Sequence, residues 1–135
     1  MSPQITFDDP AASYRAGACN IGPAEIARRR TLGLIGLAVS GLLALAVLAA
    51  GVPAIVRLLV AFPVAGSAIG LIQARLRFCA AFGMAGLRNF GPLGGEERVA
   101  EATARRADRT MALRILFSGS LFGLAAGLVL ALIPR

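Results

Sequence analysis

The sequence has no histidine, no tryptophan and no lysine, and it carries one tyrosine, two cysteines and seven acidic residues in a chain of 135. Each shortage removes a class of chemistry. Without histidine there is no Ser-His-Asp set and no imidazole ligand, and no phosphate loop or dinucleotide fingerprint stands in for them, so enzyme, pump and channel readings weaken together. An aromatic content of 6% leaves no stacking platform for bases, and no groove-reading motif accompanies the basic charge, which argues against nucleic acid as a partner. Charged residues are 16% of the chain and hydrophobic ones 57%, the reverse of the composition that keeps a chain disordered.

What the sequence does have is long apolar blocks. Leu32 to Val52 holds 21 residues without a charge, residues 54–72 are apolar apart from Arg57, and Ile115 to Ile133 adds 19 uncharged positions. About 20 residues rising 1.5 Å each cross a hydrocarbon layer of roughly 30 Å. The pattern predicts an all-α integral membrane protein with three transmembrane helices. Residues 23–73 form a tight antiparallel hairpin with spans at about 32–52 and 54–72, joined at Gly51-Val52-Pro53 where a helix stop meets a helix-start proline; residues 115–135 form the third span. A secretory signal peptide is the competing reading of the first block. The run is longer than an ordinary signal core, its polar leader has 30 residues, and a second span follows at once, so an anchored helix is expected.

All fourteen cations are arginine, and only Arg57 and Arg135 fall outside the segments before the first span and between the second and third. The positive-inside rule then sets the N-terminus and the connection 74–114 in the cytoplasm, with the C-terminus outside. Arg28, Arg29, Arg30, Arg75 and Arg77 are expected to anchor the helix ends at the interface, with anionic inner-leaflet lipid as the partner. Arg57, one turn into its span, is expected to snorkel to the outer interface.

Residues 1–22 read as a polar cytoplasmic tail, and Pro23 with Glu25 in the first turn marks a helix start. Gly91-Pro92-Leu93-Gly94-Gly95 breaks the connection, and an amphipathic helix is predicted over residues 96–114. Its apolar face would be Val99, Ala100, Thr103, Ala104, Ala107, Thr110 and Met111, with Arg98, Glu101, Arg105, Asp108 and Arg109 opposite. Phe78, Phe82 and Phe90 suggest an interfacial helix after the second span.

Gly119, Gly123 and Gly127 fall one turn apart on one strip of the third span, and Gly66 and Gly70 repeat the spacing in the second. Such strips let helices approach closely, either within the three-helix unit or toward a homo-oligomer or a larger membrane partner. Pro63 is expected to kink the second span. Cys19 and Cys79 are sixty residues apart, with no histidine to complete a zinc site, so no metal or cofactor is expected and both read as free thiols. Arg77 beside Cys79 offers a route to a reactive thiolate, and apolar filler is the plainer reading.

Cys19-Asn20-Ile21-Gly22, the arginines Arg28 and Arg30, the tight hairpin and Cys79 soon after it resemble the YgaP-like transmembrane domain family of bacterial inner membranes. Asn20, Gly22, Arg28 and Cys79 match that family's positions over residues 19–86. Cys79 is followed here by Ala80-Ala81-Phe82, without the proline and tyrosine of the family's Cys-Pro-x-Tyr element, and the third span lies outside the pattern. Some members are fused to rhodanese sulfurtransferase domains, so the resemblance implies a multi-pass inner-membrane hairpin with a distant link to sulfur handling. The expected function is a non-enzymatic oligomeric or accessory membrane subunit, the alternative a membrane thiol protein acting through Cys79.

Overall fold

A computed structural model of the chain describes residues 13–134; residues 1–12 of the predicted tail, and Arg135, lie outside the described residues. The elements in order are α1 (Pro23–Ala49), α2 (Ala54–Arg57), a 3₁₀ turn (Leu58–Val60), α3 (Ala61–Leu76), α4 (Ala80–Ala85), strands β1 (Leu87–Arg88) and β2 (Glu97–Arg98), and α5 (Ala102–Leu132). Among the described residues three helical stretches, Pro23–Ala49, Ala54–Leu76 and Ala102–Leu132, are long and apolar enough to cross a membrane. The chain divides into two compact units. An apolar unit takes Arg29–Ile72 and the residues from Arg114 onward, and a polar unit takes the segment ending at Arg28 together with Gln73–Leu113.

In the apolar unit the helix boundaries follow from local chemistry. α1 stops because Gly51 turns left-handed at φ +61°, its N–H donating to the Leu48 carbonyl at 3.1 Å, and Pro53 two residues later cannot continue a helix. Pro63 follows a local change in the returning stretch. It has no N–H for the Leu59 carbonyl and its ring crowds that carbonyl, and the backbone over Leu58–Val60 tightens to a 3₁₀ turn.

Small residues then set the packing. A Cβ placed on Gly70 would lie 3.3 Å from the Gly33 Cα, and one on Gly36 would lie 2.5 Å from Ser67 Oγ, so α1 and α3 run antiparallel with their backbones close. The hydroxyls at this seam are satisfied within their own helices: Ser40 Oγ donates to the Gly36 carbonyl at 2.7 Å and Ser67 Oγ to the Pro63 carbonyl at 2.8 Å. The glycine strip of α5 lies on the 3₁₀ turn and α3, Gly119 against Ile69, Gly123 against Ala61 and Ala65, and Gly127 against Leu58 and Ala61. Its close approach is therefore used inside the chain. Gly66 differs from Gly70: a Cβ there would meet nothing within 4 Å, so among the described residues it seats no helix of the chain.

Arg57 is a second correction. It is 2% exposed and does not reach outward. Its Nε donates to the Val52 carbonyl at 2.9 Å, and Nη1 donates to the Ile133 carbonyl at 2.7 Å and the Leu130 carbonyl at 3.4 Å. A helix C-terminus leaves carbonyls without intrahelical donors and carries partial negative charge, and a guanidinium with five donors answers both. The outer faces of the unit are apolar, with Phe62 75% and Leu132 81% exposed, as expected of surfaces that meet hydrocarbon rather than water.

Gly123→Leu would set side-chain atoms where Ala65 stands, a Cβ alone reaching 2.6 Å from the Ala65 Cβ. Overpacking of this kind costs about 1–3 kcal/mol. Thermal unfolding in detergent, followed by helical circular dichroism, is expected to show a clear drop for Gly123→Leu and little change for Gly66→Leu; equal effects would contradict this packing.

Candidate functional site

The polar unit is assembled from two distant stretches of chain, and Asn20 joins them. Its side chain pairs with both backbone groups of one residue: Asn20 Nδ2 donates to the Cys79 carbonyl at 3.1 Å, and the Cys79 N–H donates to Asn20 Oδ1 at 2.6 Å. Its backbone does the same work, its N–H donating to the Arg77 carbonyl at 3.2 Å and its carbonyl accepting from the Asn89 N–H at 2.9 Å. The next link is the Gly22 N–H, which donates to the Asn89 carbonyl at 2.8 Å. A Cβ on Gly22 would fall 2.8 Å from the Phe90 Cα, so only glycine allows the two segments this close. Cys19, Asn20, Ile21 and Gly22 are all buried, which corrects the expectation of a tail for residues 13–22. Buried backbone groups need partners, and Asn20 and Asn89 supply them.

α3 ends in a Schellman-type turn, with Arg77 left-handed at φ 57° and the Phe78 N–H donating to the Gln73 carbonyl at 3.0 Å. The predicted interfacial helix is only α4, six residues long, and Phe78 precedes it as a fully buried core residue rather than lying on an outward face. Cys79 caps α4, its sulfur accepting the Phe82 N–H at 3.5 Å, and Gln73 Oε1 accepts the Ala80 N–H at 2.8 Å. Neither cysteine is in a disulfide, and both are buried. Burial pushes the Cys19 thiol up from its ordinary value, away from thiolate character. Of the predicted anchors, Arg28, Arg30, Arg75 and Arg77 are exposed and Arg29 is half-buried.

The predicted helix over residues 96–114 begins later, at Ala102. Glu97 and Arg98 instead pair as β2 with β1, Leu87 opposite Arg98 and Arg88 opposite Glu97. Gly91 to Gly95 form the connecting turn, held by Asn89, whose Oδ1 accepts the Gly91 N–H at 3.0 Å and whose Nδ2 donates to the Pro92 carbonyl at 2.9 Å. The buried face of α5 is rotated from the predicted one. Ala104, Asp108 and Ala112 are buried while Thr103 and Thr110 are exposed. Asp108 is tolerated inside because Tyr14 donates its hydroxyl to Oδ2 at 2.7 Å and the Gly17 N–H donates to Oδ1 at 2.7 Å.

Beside this core is a pocket of about 420 Å³ lined by Arg98, Arg105 and Arg109 and by the Gly83–Gly86 turn at the end of α4. Gly86 is left-handed at φ 74°, and a Cβ there would sit 2.8 Å from Arg105 Cδ, so this glycine lets the arginine stem lie across the turn. Arg105 Nη1 donates to the Val99 carbonyl at 2.8 Å and the Ala100 carbonyl at 2.6 Å, which fixes its head. Among the described residues no acidic one lines this pocket. Sequence reasoning set these three arginines on the solvated side of a helix; Arg105 and Arg109 at i and i+4, with a glycine after an apolar turn, were the available signal. Among the described residues no three Cys, Asp or Glu side chains gather as metal ligands would.

Tyr14 is the chain's one tyrosine, so its ionisation can be read directly by absorbance. Burial first, then the hydrogen bond and charge of Asp108, hold its phenol above the ordinary tyrosine value of 10.0. The folded state therefore favours the neutral phenol. This stabilisation is fully present below pH of about 10 and is lost as pH rises through the folded-state value. Alkaline titration is expected to place the phenolate transition above that of the denatured chain, and Asp108→Asn to lower it; coincidence of folded and denatured transitions would refute the buried pair. Maleimide should label neither Cys19 nor Cys79 at an appreciable rate until the protein unfolds, a free-thiol rate in the native state being the contrary result. In comparisons with known proteins the chain matches no family model, no curated protein and no solved structure.

Proposed function

We propose that the protein is a non-enzymatic accessory subunit of a bacterial inner membrane, crossing it three times with its N-terminus and residues 74–114 in the cytoplasm and its C-terminus outside. The reading is supported on the membrane side by one observation above the rest. The α5 glycine strip is occupied from within, yet a second apolar groove of about 550 Å³ opens between α1 and α5, lined by Ser40, Gly41 and Ala44 on one wall and Ala125, Ala126 and Val129 on the other. A Cβ on Gly41 would meet nothing within 4 Å, and the Ser40 hydroxyl is already bonded to its own helix. Such a surface offers close approach and no free polar group, which suits a spanning helix with small residues of its own. The orientation draws support from arginine placement and from the polar unit, whose contacts between residues 13–28 and 73–113 bring the chain back to where α1 began.

Both thiols are buried and the buried carboxylate Asp108 is fully engaged by Tyr14 and Gly17, so the groups most able to do chemistry are committed to structure. A photoreactive residue introduced at position 41 in native membranes is expected to give a discrete adduct with a different membrane-spanning protein, and one at position 62 is expected to give none. An adduct of the mass of two copies would replace this reading with a homo-oligomer, and lipid adducts alone would overturn it. A fluorescent protein that matures only in the cytoplasm, fused after Arg135, is expected to stay dark; a bright fusion would overturn the orientation.

A further inference from the structure

We propose that the pocket between α4 and the first turns of α5 binds a phosphate group carried on a small polar body, the chemistry shared by the headgroup of an anionic glycerophospholipid and a free phosphate ester. Three guanidiniums, of Arg98, Arg105 and Arg109, line one cavity, and none makes an ion pair with a described carboxylate. The nearby ion pair among the described residues, Arg88 with Glu97 at 3.4 Å, uses a neighbouring arginine. Planar guanidinium forks match phosphate oxygens bidentately, and three of them answer a tetrahedral anion from several directions.

Several carbonyls around the cavity already accept hydrogen bonds. Carbonyls at the end of a helix would repel an anion, but the Phe82 carbonyl accepts the Gly86 N–H, the Gly86 carbonyl accepts the Val99 N–H at 2.9 Å, and the Val99 and Ala100 carbonyls accept Arg105 Nη1. Arg105 is thereby held in place before any ligand arrives, while its Nε and Nη2 have no acceptor among the described residues. Such preorganisation lowers the entropy lost on binding. A volume of about 420 Å³ exceeds a bare phosphate, and Met84, Ala85 and Val99 give part of the wall an apolar character suited to a glycerol backbone. Arg109 precedes Ile115, the first residue of the uncharged run, by six positions of one helix, a rise of about 9 Å.

The test uses the full chain in detergent, with a fluorescent phosphatidylglycerol as probe and unlabelled glycerol phosphate as competitor. Arg98→Gln combined with Arg109→Gln is expected to weaken probe binding at least tenfold. Arg106→Gln, which removes an exposed charge from the same helix outside the pocket, is expected to change it less than twofold. The Tyr14 titration serves as the fold check, and an unchanged midpoint excludes unfolding as the cause of any loss. Displacement of the probe by glycerol phosphate would support a site that takes the free ester as well, and resistance to it with the double-variant loss intact would support the lipid headgroup alone. Equal losses for Arg106→Gln and for either pocket variant taken singly, or no loss in the double variant, would overturn the pocket and leave only diffuse charge attraction.

Discussion

The paired hydrogen bonds between the Asn20 carboxamide and the two backbone groups of Cys79, 59 positions apart in sequence, close a loop that contains α1 and α3. A carboxamide has one acceptor and one donor set in the same spacing as a peptide, so it can complete the backbone of a segment that has no strand beside it. Once Asn20 is held, its own peptide groups are fixed against Arg77 and Asn89, Gly22 is drawn onto Phe90, and the start of α1 is set. The left-handed Arg77 is part of the same arrangement, since a non-glycine residue adopts that conformation only where its surroundings demand it, at a cost of roughly 1–3 kcal/mol.

In the apolar unit the corresponding constraint is steric. Lipid tails are as apolar as leucine, so burial of hydrocarbon gives helices little reason to associate, and close backbone approach with internal hydrogen bonding has to supply it. Gly33, Gly36 and Gly70 provide that approach between α1 and α3, and Gly119, Gly123 and Gly127 provide it for α5. Arg57 adds a strong polar link, tying the hairpin turn at Val52 to the last carbonyls of α5. The donor that looked misplaced in an apolar run is the group that end of the helix lacked.

Three apolar stretches and the stop at Gly51 and Pro53 were legible in the sequence because each depends on a property of adjacent residues: uncharged length, left-handed φ, a missing N–H. The site was much less legible. Asp108 lies among arginines on a wheel and reads as solvated, and only Tyr14 and Gly17, more than ninety positions away, make its burial possible. Residues 13–22 are polar and short of periodicity, so their packing could not be seen without Cys79 and Asn89 to receive them. Arg57 failed for the same reason, since its partners Leu130 and Ile133 are seventy-three and seventy-six positions distant. Glu96 to Glu101 carry helix-start chemistry, yet the pairing of Leu87 with Arg98 won that segment for a strand.

The division of the polar unit between two separated stretches of chain has a kinetic side. Residues 13–28 are made early, but the Cys79 backbone that completes Asn20 is made 59 positions later, after the whole of α1 and α3. Until residues 77–90 are made, Asn20, Ile21 and Gly22 lack their native backbone partners, and that early segment stays open to competing contacts.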